Sequence, residues 1–224
     1  MSNNKKGRNT GKQPAPKAGA PAPARGRGKT WIVAAGAAAF VLVVLAVTGV
    51  LGGGAAPSSA RPTAEEAKYR GRFLSAGYAE PVIAGAQSYD ATVEMTELTA
   101  TTTDTQIAVP VADVAEAKIA IFRYETASGP LPLIAYVKPS GALFVGVSFC
   151  LPCEGEWQTI QSDGTLTCNS CGTKRDLETG VGVSGTCKLY PLDELPVTVA
   201  ADTISIDRAV LDSWTPQPLD RKVG

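Results

Sequence analysis

The 224-residue chain contains no histidine. Without imidazole there is no Ser-His-Asp arrangement and no histidine general base. Neither common type of Gly-rich phosphate loop is present, so hydrolase and nucleotide-binding readings are poor. Residues 1–30 contain no acid, and no large aliphatic or aromatic side chain lies between Met1 and Trp31. Such a segment cannot bury enough apolar surface to offset its chain entropy and is expected to be disordered. What it does have is positive charge: Lys5, Lys6, Arg8, Lys12, Lys17, Arg25, Arg27 and Lys29. The formal net charge of zero therefore hides an asymmetry, because the rest of the chain has 13 Lys and Arg against 21 Asp and Glu, a net of −8. An acidic body argues against nucleic acid as its partner, since phosphate binding needs a basic face.

The basic head is followed by WIVAAGAAAFVLVVLAVTGVL, Trp31 to Leu51, 21 residues without a charge. About 20 apolar helical residues cross the roughly 30 Å hydrocarbon layer, so a transmembrane helix is predicted over 31–51. A secretory signal peptide is the competing reading, but its apolar region is usually about 7–15 residues and seldom follows so long a head. The small residues of GGGAAPSSA keep cleavage as an alternative. Eight basic residues precede the helix and only Arg61 follows closely, so the positive-inside rule predicts a cytoplasmic head (1–30) and an extracytoplasmic body. The lipid bilayer is the first expected partner.

Residues 52–106 read as a linker with a short helix. Gly52–Pro62 is a flexible tether by composition, and Thr63 with Glu66 resembles a capping box opening a helix over Thr63–Gly77. Thr96–Gln106 is polar and Thr-rich, a linker or an edge strand. From Ile107 the texture changes to short β-type runs: Lys118–Tyr124, Leu133–Lys138, Ala142–Phe149, Trp157–Gln161, Thr165–Cys168, Val197–Ala200 and Thr203–Asp207. PSG and SDG between them are turn signals. The predicted fold class is all-β, a small antiparallel domain over 107–214, with a loose tail at 215–224.

Four of the five cysteines form two Cys-x-x-Cys pairs, Cys150 with Cys153 and Cys168 with Cys171. Each pair suits a knuckle, a tight turn that brings two sulfurs and backbone amides around one ion, and Pro152 and Gly172 suit such turns. Two knuckles supply four thiolates, the number wanted by a zinc ion, a mononuclear iron or a [2Fe–2S] cluster. Structural disulfides are a second reading for a domain outside the cell, although an odd total leaves one cysteine over. A thiol–disulfide redox pair is a third, but that chemistry usually sets Cys-x-x-Cys at a helix N-terminus, and the flanks here read as strands and loops.

The sequence around the pairs resembles a Rieske iron–sulfur domain. CNSCG places Cys171 at the second-loop histidine position, and Asp176-Leu177-Glu178-Thr179-Gly180 follows as in that pattern. In CLPCEG, Cys153 stands at the first-loop histidine position, with Cys150 one residue further upstream than expected. A closer match is to FtrD-like membrane iron–sulfur proteins, a group associated with bacterial ferrous-iron uptake. It is carried by VPVADVAEAKIAIFRYE, YVKPSGALFVGVSFC, the two Cys-x-x-Cys pairs and GTCKLYPL, over about Val109–Leu211. One departure is an extra residue between Gly185 and Cys187. The resemblance implies a [2Fe–2S]-type cluster on Cys150, Cys153, Cys168 and Cys171, electron transfer rather than stand-alone catalysis, and a membrane iron-transport or redox partner. Thiolate in place of imidazole makes such a site more negative, so its potential should lie nearer the plant-type value of about −400 mV than that of a Rieske centre. The stretch RGRGKTW has no Arg-Arg pair and gives no support to folded export of a preformed cluster. A mononuclear iron or zinc ion acquired outside the cell therefore stays open.

Cys187 is a fifth ligand, a ligand in place of Cys150, or a buried free thiol, which behaves as a small hydrophobe. Trp157 and Tyr190 either shield the site or are core. Glu154, Glu156, Asp176 and Glu178 form an acidic neighbourhood that would attract Fe²⁺ or a basic partner, or else are solvated loop charges. The expectation is a membrane-anchored, extracytoplasmic metal or iron–sulfur redox module supporting iron transport. The alternatives are a structural zinc scaffold of a membrane complex and a thiol–disulfide oxidoreductase.

Overall fold

The computed structural model describes residues 69–220. The expected disordered head, the transmembrane helix at 31–51 and most of the 52–77 tether and helix lie outside the described residues. Among the described residues no helix is long and apolar enough to cross a membrane.

Among the described residues, thirteen strands and two short helices with defined bounds follow in chain order. They are β1 (Val93–Glu94), β2 (Thr96–Glu97), β3 (Thr101–Thr102), β4 (Gln106–Pro110), α1 (Val111–Ala117), β5 (Ile119–Thr126), β6 (Gly129–Val137) and β7 (Leu143–Val147). Then come β8 (Gln158–Ile160), β9 (Thr165–Cys168), β10 (Lys174–Asp176), β11 (Gly182–Ser184), β12 (Thr198–Ala200), β13 (Thr203–Asp207) and α2 (Arg208–Asp212). They build three sheets, ordered β2-β5-β6-β7, β12-β13-β4-β3 and β1-β8-β9-β10-β11. The pairings are antiparallel except β2 with β5. The predicted mostly antiparallel β architecture is therefore present.

The sheet β2-β5-β6-β7 is the middle layer, and side-chain alternation explains how. Ile119, Ile121, Ile134, Tyr136 and Phe144 face one side and pack with Ile160, Leu166 and Leu177. Phe122, Tyr124, Leu133, Ala135, Leu143, Val145 and Val147 face the other and pack with Ile107, Val109, Ile204 and Ile206. Both faces are covered, so these strands are apolar at nearly every position instead of alternating. Each buried Ile, Leu or Phe side chain contributes roughly 1.5–3 kcal/mol of transfer free energy.

Order extends upstream of Ile107, the expected start of the domain. Tyr89 and Met95 are buried in the core, Val82 bridges Ala142, and the three two-residue strands β1, β2 and β3 each pair with a different partner. β2 and β3 are sheet edges, as the edge-strand reading of Thr96–Gln106 has it. These strands are short and rich in Thr and Glu, so they carry no hydrophobic period; only their remote partners define them. The tail expected to be loose is likewise held as far as Gln217, whose amide donates to Pro191 O and Asp193 Oδ1, both at 2.9 Å.

Candidate metal centre

The convergence of the cysteines follows from strand register. In the β8–β9 hairpin Gln158 is paired with Cys168. The loop 150–157, which feeds β8, therefore lies beside the end of β9. β10 pairs with β9 through Lys174↔Thr167 and with β11 through Lys174↔Ser184. The β9–β10 turn and the segment after β11 consequently emerge at that same end. Three loops bring all five cysteines into one cluster.

Each knuckle closes on its own backbone. Cys150 N donates to Gly155 O at 2.9 Å. Cys168 N donates to Thr173 O at 2.9 Å, and Gly172 N to Cys168 O at 2.8 Å. Gly172 turns the second knuckle with φ of 69°, a left-handed conformation that suits glycine. Gly155 is required for a different reason: a Cβ there would stand 2.7 Å from both Cys168 Sγ and Ser170 Oγ.

Cys150 Sγ lies 3.9 Å from Cys171 Sγ, and Cys153 Sγ lies 3.7 Å from Cys168 Sγ. These are non-bonded separations, far above the disulfide length of about 2.05 Å, and all five cysteines are free thiols. The sulfurs of Cys150, Cys153, Cys171 and Cys187 are mutually within 4.8 Å. Four sulfurs held at about 2.3 Å from one tetrahedral ion stand about 3.8 Å apart. The side chains thus fit a thiolate-bound metal. The compact set includes Cys187 and leaves out Cys168, one of the four expected ligands, whose sulfur lies 3.7 Å from Cys153 Sγ in the same five-cysteine cluster.

Polar groups ring the sulfurs. Arg175 Nη2 donates to Cys150 Sγ at 3.1 Å, and Cys171 Sγ and Thr173 Oγ1 are hydrogen-bonded at 3.2 Å. The same Thr173 hydroxyl oxygen accepts from Cys187 N at 3.1 Å. Backbone amides supply the rest: Gly155 to Cys153, Ser170 and Cys171 to Cys168, and Thr173 to Cys171. The consequences for thiol acidity differ around the ring. Contact with Cys168 and burial push Cys150 up, against the pull of Arg175. Burial pushes Cys153 up as well. Cys168 is held low by its contact with Cys150 and by the amides, against its own burial. At Cys171 burial acts upward, but the Thr173 hydroxyl and amide outweigh it and leave the thiol low. The ring therefore holds both thiol and thiolate character. Cys150, Cys168 and Cys187 are buried, while Cys153 and Cys171 reach solvent in part.

A family described as "Membrane iron-sulfur containing protein FtrD-like" matches residues 114–217, which include all five cysteines. Over that region the chain is similar to this family. No curated protein matches the chain. Among solved structures a similar one is a Sphingomonas yanoikuyae B1 ferredoxin, 23% identical, covering 34% of this chain and 74% of its own, with a TM-score of 0.28. That is too distant to speak for the fold.

The other residues singled out in the sequence have structural employment. Glu156 pairs with Arg123 at 2.9 Å. Asp176 is buried and accepts from Thr179 N and Oγ1, and Glu178 accepts from Ser140 N. Glu154 is exposed. The acids near the cysteines are thus mostly loop braces. Trp157 is exposed and its carbonyl accepts from Asn169 N, whereas Tyr190 is buried and its carbonyl accepts from Arg175. Sequence reasoning missed Thr173 and Arg175. The available signal was the position of TKR directly after the second knuckle, in a strand whose alternation must send either Lys174 or Arg175 inward.

Proposed function

We propose that the chain is a membrane-anchored, extracytoplasmic redox module. Its cysteine cluster holds iron and passes single electrons to or from a membrane partner that handles iron. The observation that carries this reading is the convergence of five sulfurs, three of them buried, at one end of a β scaffold. The description of the matched family as membrane and iron–sulfur supports it. When bound, the metal would supply a one-electron couple. The protein would exclude water from Cys150, Cys168 and Cys187 while leaving Cys153 and Cys171 at the surface as the side from which a partner is approached. On this reading the two cysteine loops would play the part of the two ligand loops of a Rieske-like arrangement, with thiolates in place of imidazoles. A tether would keep such a domain near its partner and turn encounter into a nearly intramolecular event.

A second reading, a single-ion centre of iron or zinc, is favoured by one specific observation. A [2Fe–2S] cluster sets two irons and two sulfides between its cysteine pairs and needs more room than the sulfurs of Cys150, Cys153, Cys171 and Cys187, mutually within 4.8 Å, leave. No helix begins at either Cys-x-x-Cys, so the feature that lowers the attacking thiol in disulfide oxidoreductases is missing from both. The deciding experiment is metal and acid-labile sulfide analysis of the purified full chain, with its visible spectrum. Two irons and two sulfides per chain mark a [2Fe–2S] protein. One iron without sulfide marks a mononuclear redox centre, and one zinc in a colourless protein marks a structural module and ends the electron-transfer proposal. A protein that holds no metal and carries a quantitative Cys150–Cys153 disulfide would end the metal reading altogether.

A further inference from the structure

We propose that Arg175 is the counter-charge of the metal centre, a positioning residue that raises the reduction potential and favours an all-thiolate, net-negative ligand set. The inference rests on the metal-centre reading above.

Arg175 lies in the middle of β10 and is 1% exposed. Its neighbour Lys174 points outward and pairs with Asp163 at 2.6 Å. The Arg175 Nη2 donates to Cys150 Sγ at 3.1 Å and to Tyr190 O at 3.0 Å. Its Nε and Nη1 are buried without a hydrogen-bond partner. Among the described residues, none of the ion pairs involves Arg175. The adjacent Asp176 is turned away and accepts from Thr179 N and Oγ1. A guanidinium keeps its charge in proteins, and a buried charge without an opposite partner is strongly unfavourable. Among the described residues, the side-chain acceptor of its guanidinium is Cys150 Sγ of the sulfur cluster. A divalent ion with four thiolates carries a net charge of −2, so centre and guanidinium each neutralise what the other buries.

The consequence for electron transfer follows from charge. One-electron reduction, with an external reductant as donor, adds a negative charge beside Cys150. A fixed cation 3.1 Å from that sulfur stabilises the reduced form more than the oxidised one. Arg175 thereby offsets part of the fall in potential that thiolates cause where a Rieske centre has neutral imidazoles. A guanidinium placed only for packing would need neither the charge nor the sulfur contact.

The test compares wild type, Arg175→Lys, Arg175→Met and Arg175→Gln as full chains loaded with iron, titrated with dithionite through redox mediators, and in parallel with Zn²⁺ against a chelator. The neutral variants should be at least tenfold harder to reduce, about 59 mV for one electron, and should bind Zn²⁺ at least tenfold more weakly. Arg175→Lys should stay within threefold of wild type in both. Neutral variants that keep the wild-type potential and affinity overturn the proposal, as does a lysine variant that shifts as far as methionine. Should both neutral variants fail to fold, a folded lysine variant at the wild-type potential supports the charge role. Failure of all three variants to fold assigns Arg175 to packing and overturns it. A wild-type chain that takes neither iron nor zinc fails the metal reading itself, a result visible before any variant is compared.

Discussion

At the scale of single residues, the cluster is decided by close approaches of a few tenths of an ångström. Cys187 belongs to the set of sulfurs mutually within 4.8 Å, so Cys187→Ser should weaken metal binding at least tenfold in chelator competition. Unchanged affinity would put Cys187 outside the ligand set. Gly155→Ala would bring a methyl group to 2.7 Å from Cys168 Sγ; loading should fall by a similar factor, while far-UV circular dichroism stays that of wild type. The raised thiols of Cys150 and Cys153 must lose their protons when a metal binds. Affinity should therefore rise with pH across the neutral range, with protons released as the metal binds. Isothermal titration in buffers of different ionisation enthalpy counts them. The four knuckle cysteines were legible because their spacing is itself the signal. Cys187 was legible only as a cysteine, since its approach depends on β11 pairing with β10.

At the scale of elements, register does the positioning. One residue of slip between β8 and β9 would turn the side chains of β9, Cys168 included, to the opposite face. The hairpin is held by the middle sheet, whose two covered faces leave little tolerance for lost volume. Phe122→Ala should cost about 3–5 kcal/mol in urea unfolding. The central strands were legible from their apolar runs, although β6 begins at Gly129, upstream of the expected Leu133. Helix α1 was not, because a seven-residue helix with only Val114 buried shows no helical period. β1, β2 and β3 were not legible as strands of particular sheets, since two polar residues define a strand only through a distant partner.

At the scale of the whole molecule, an N-terminal segment clasps the C-terminal half. Arg72 makes a two-point contact with Asp193, at 2.8 and 2.6 Å, and Asp193 also accepts from Trp214 Nε1 and Gln217 Nε2. Arg70 pairs with Glu194 at 2.9 Å. A fragment starting at Ile107 would leave the buried Asp193 without Arg72, at a cost of about 3–5 kcal/mol for a broken buried pair. It should therefore unfold at a lower urea concentration than a fragment of residues 69–220. Equal midpoints would show that the domain is complete without the clasp. Burial is the main cause that raises the Glu194 carboxyl to about 7, aided by Glu80 and opposed by Lys138 and Arg70. The folded state then holds a proton that the unfolded state releases above its lower, ordinary value. This contribution to stability is full below about pH 4.5 and is lost as pH rises through 7, at most about 3 kcal/mol. Unfolding of the metal-free protein at pH 5.5 and 8 should show greater stability at the lower pH. Glu194→Gln should flatten that dependence.

The amino-acid sequence alone determined the β class, the apolar central strands, the paired thiols and the sulfur-only character of the site, because each is encoded in neighbours along the chain. Only the tertiary structure decided that Cys187 joins the cluster, that Arg175 is its buried cation and that residues near Arg70 close the domain. Those contacts join segments far apart in sequence, and they exist only where strand register and the packing of three sheets bring them together.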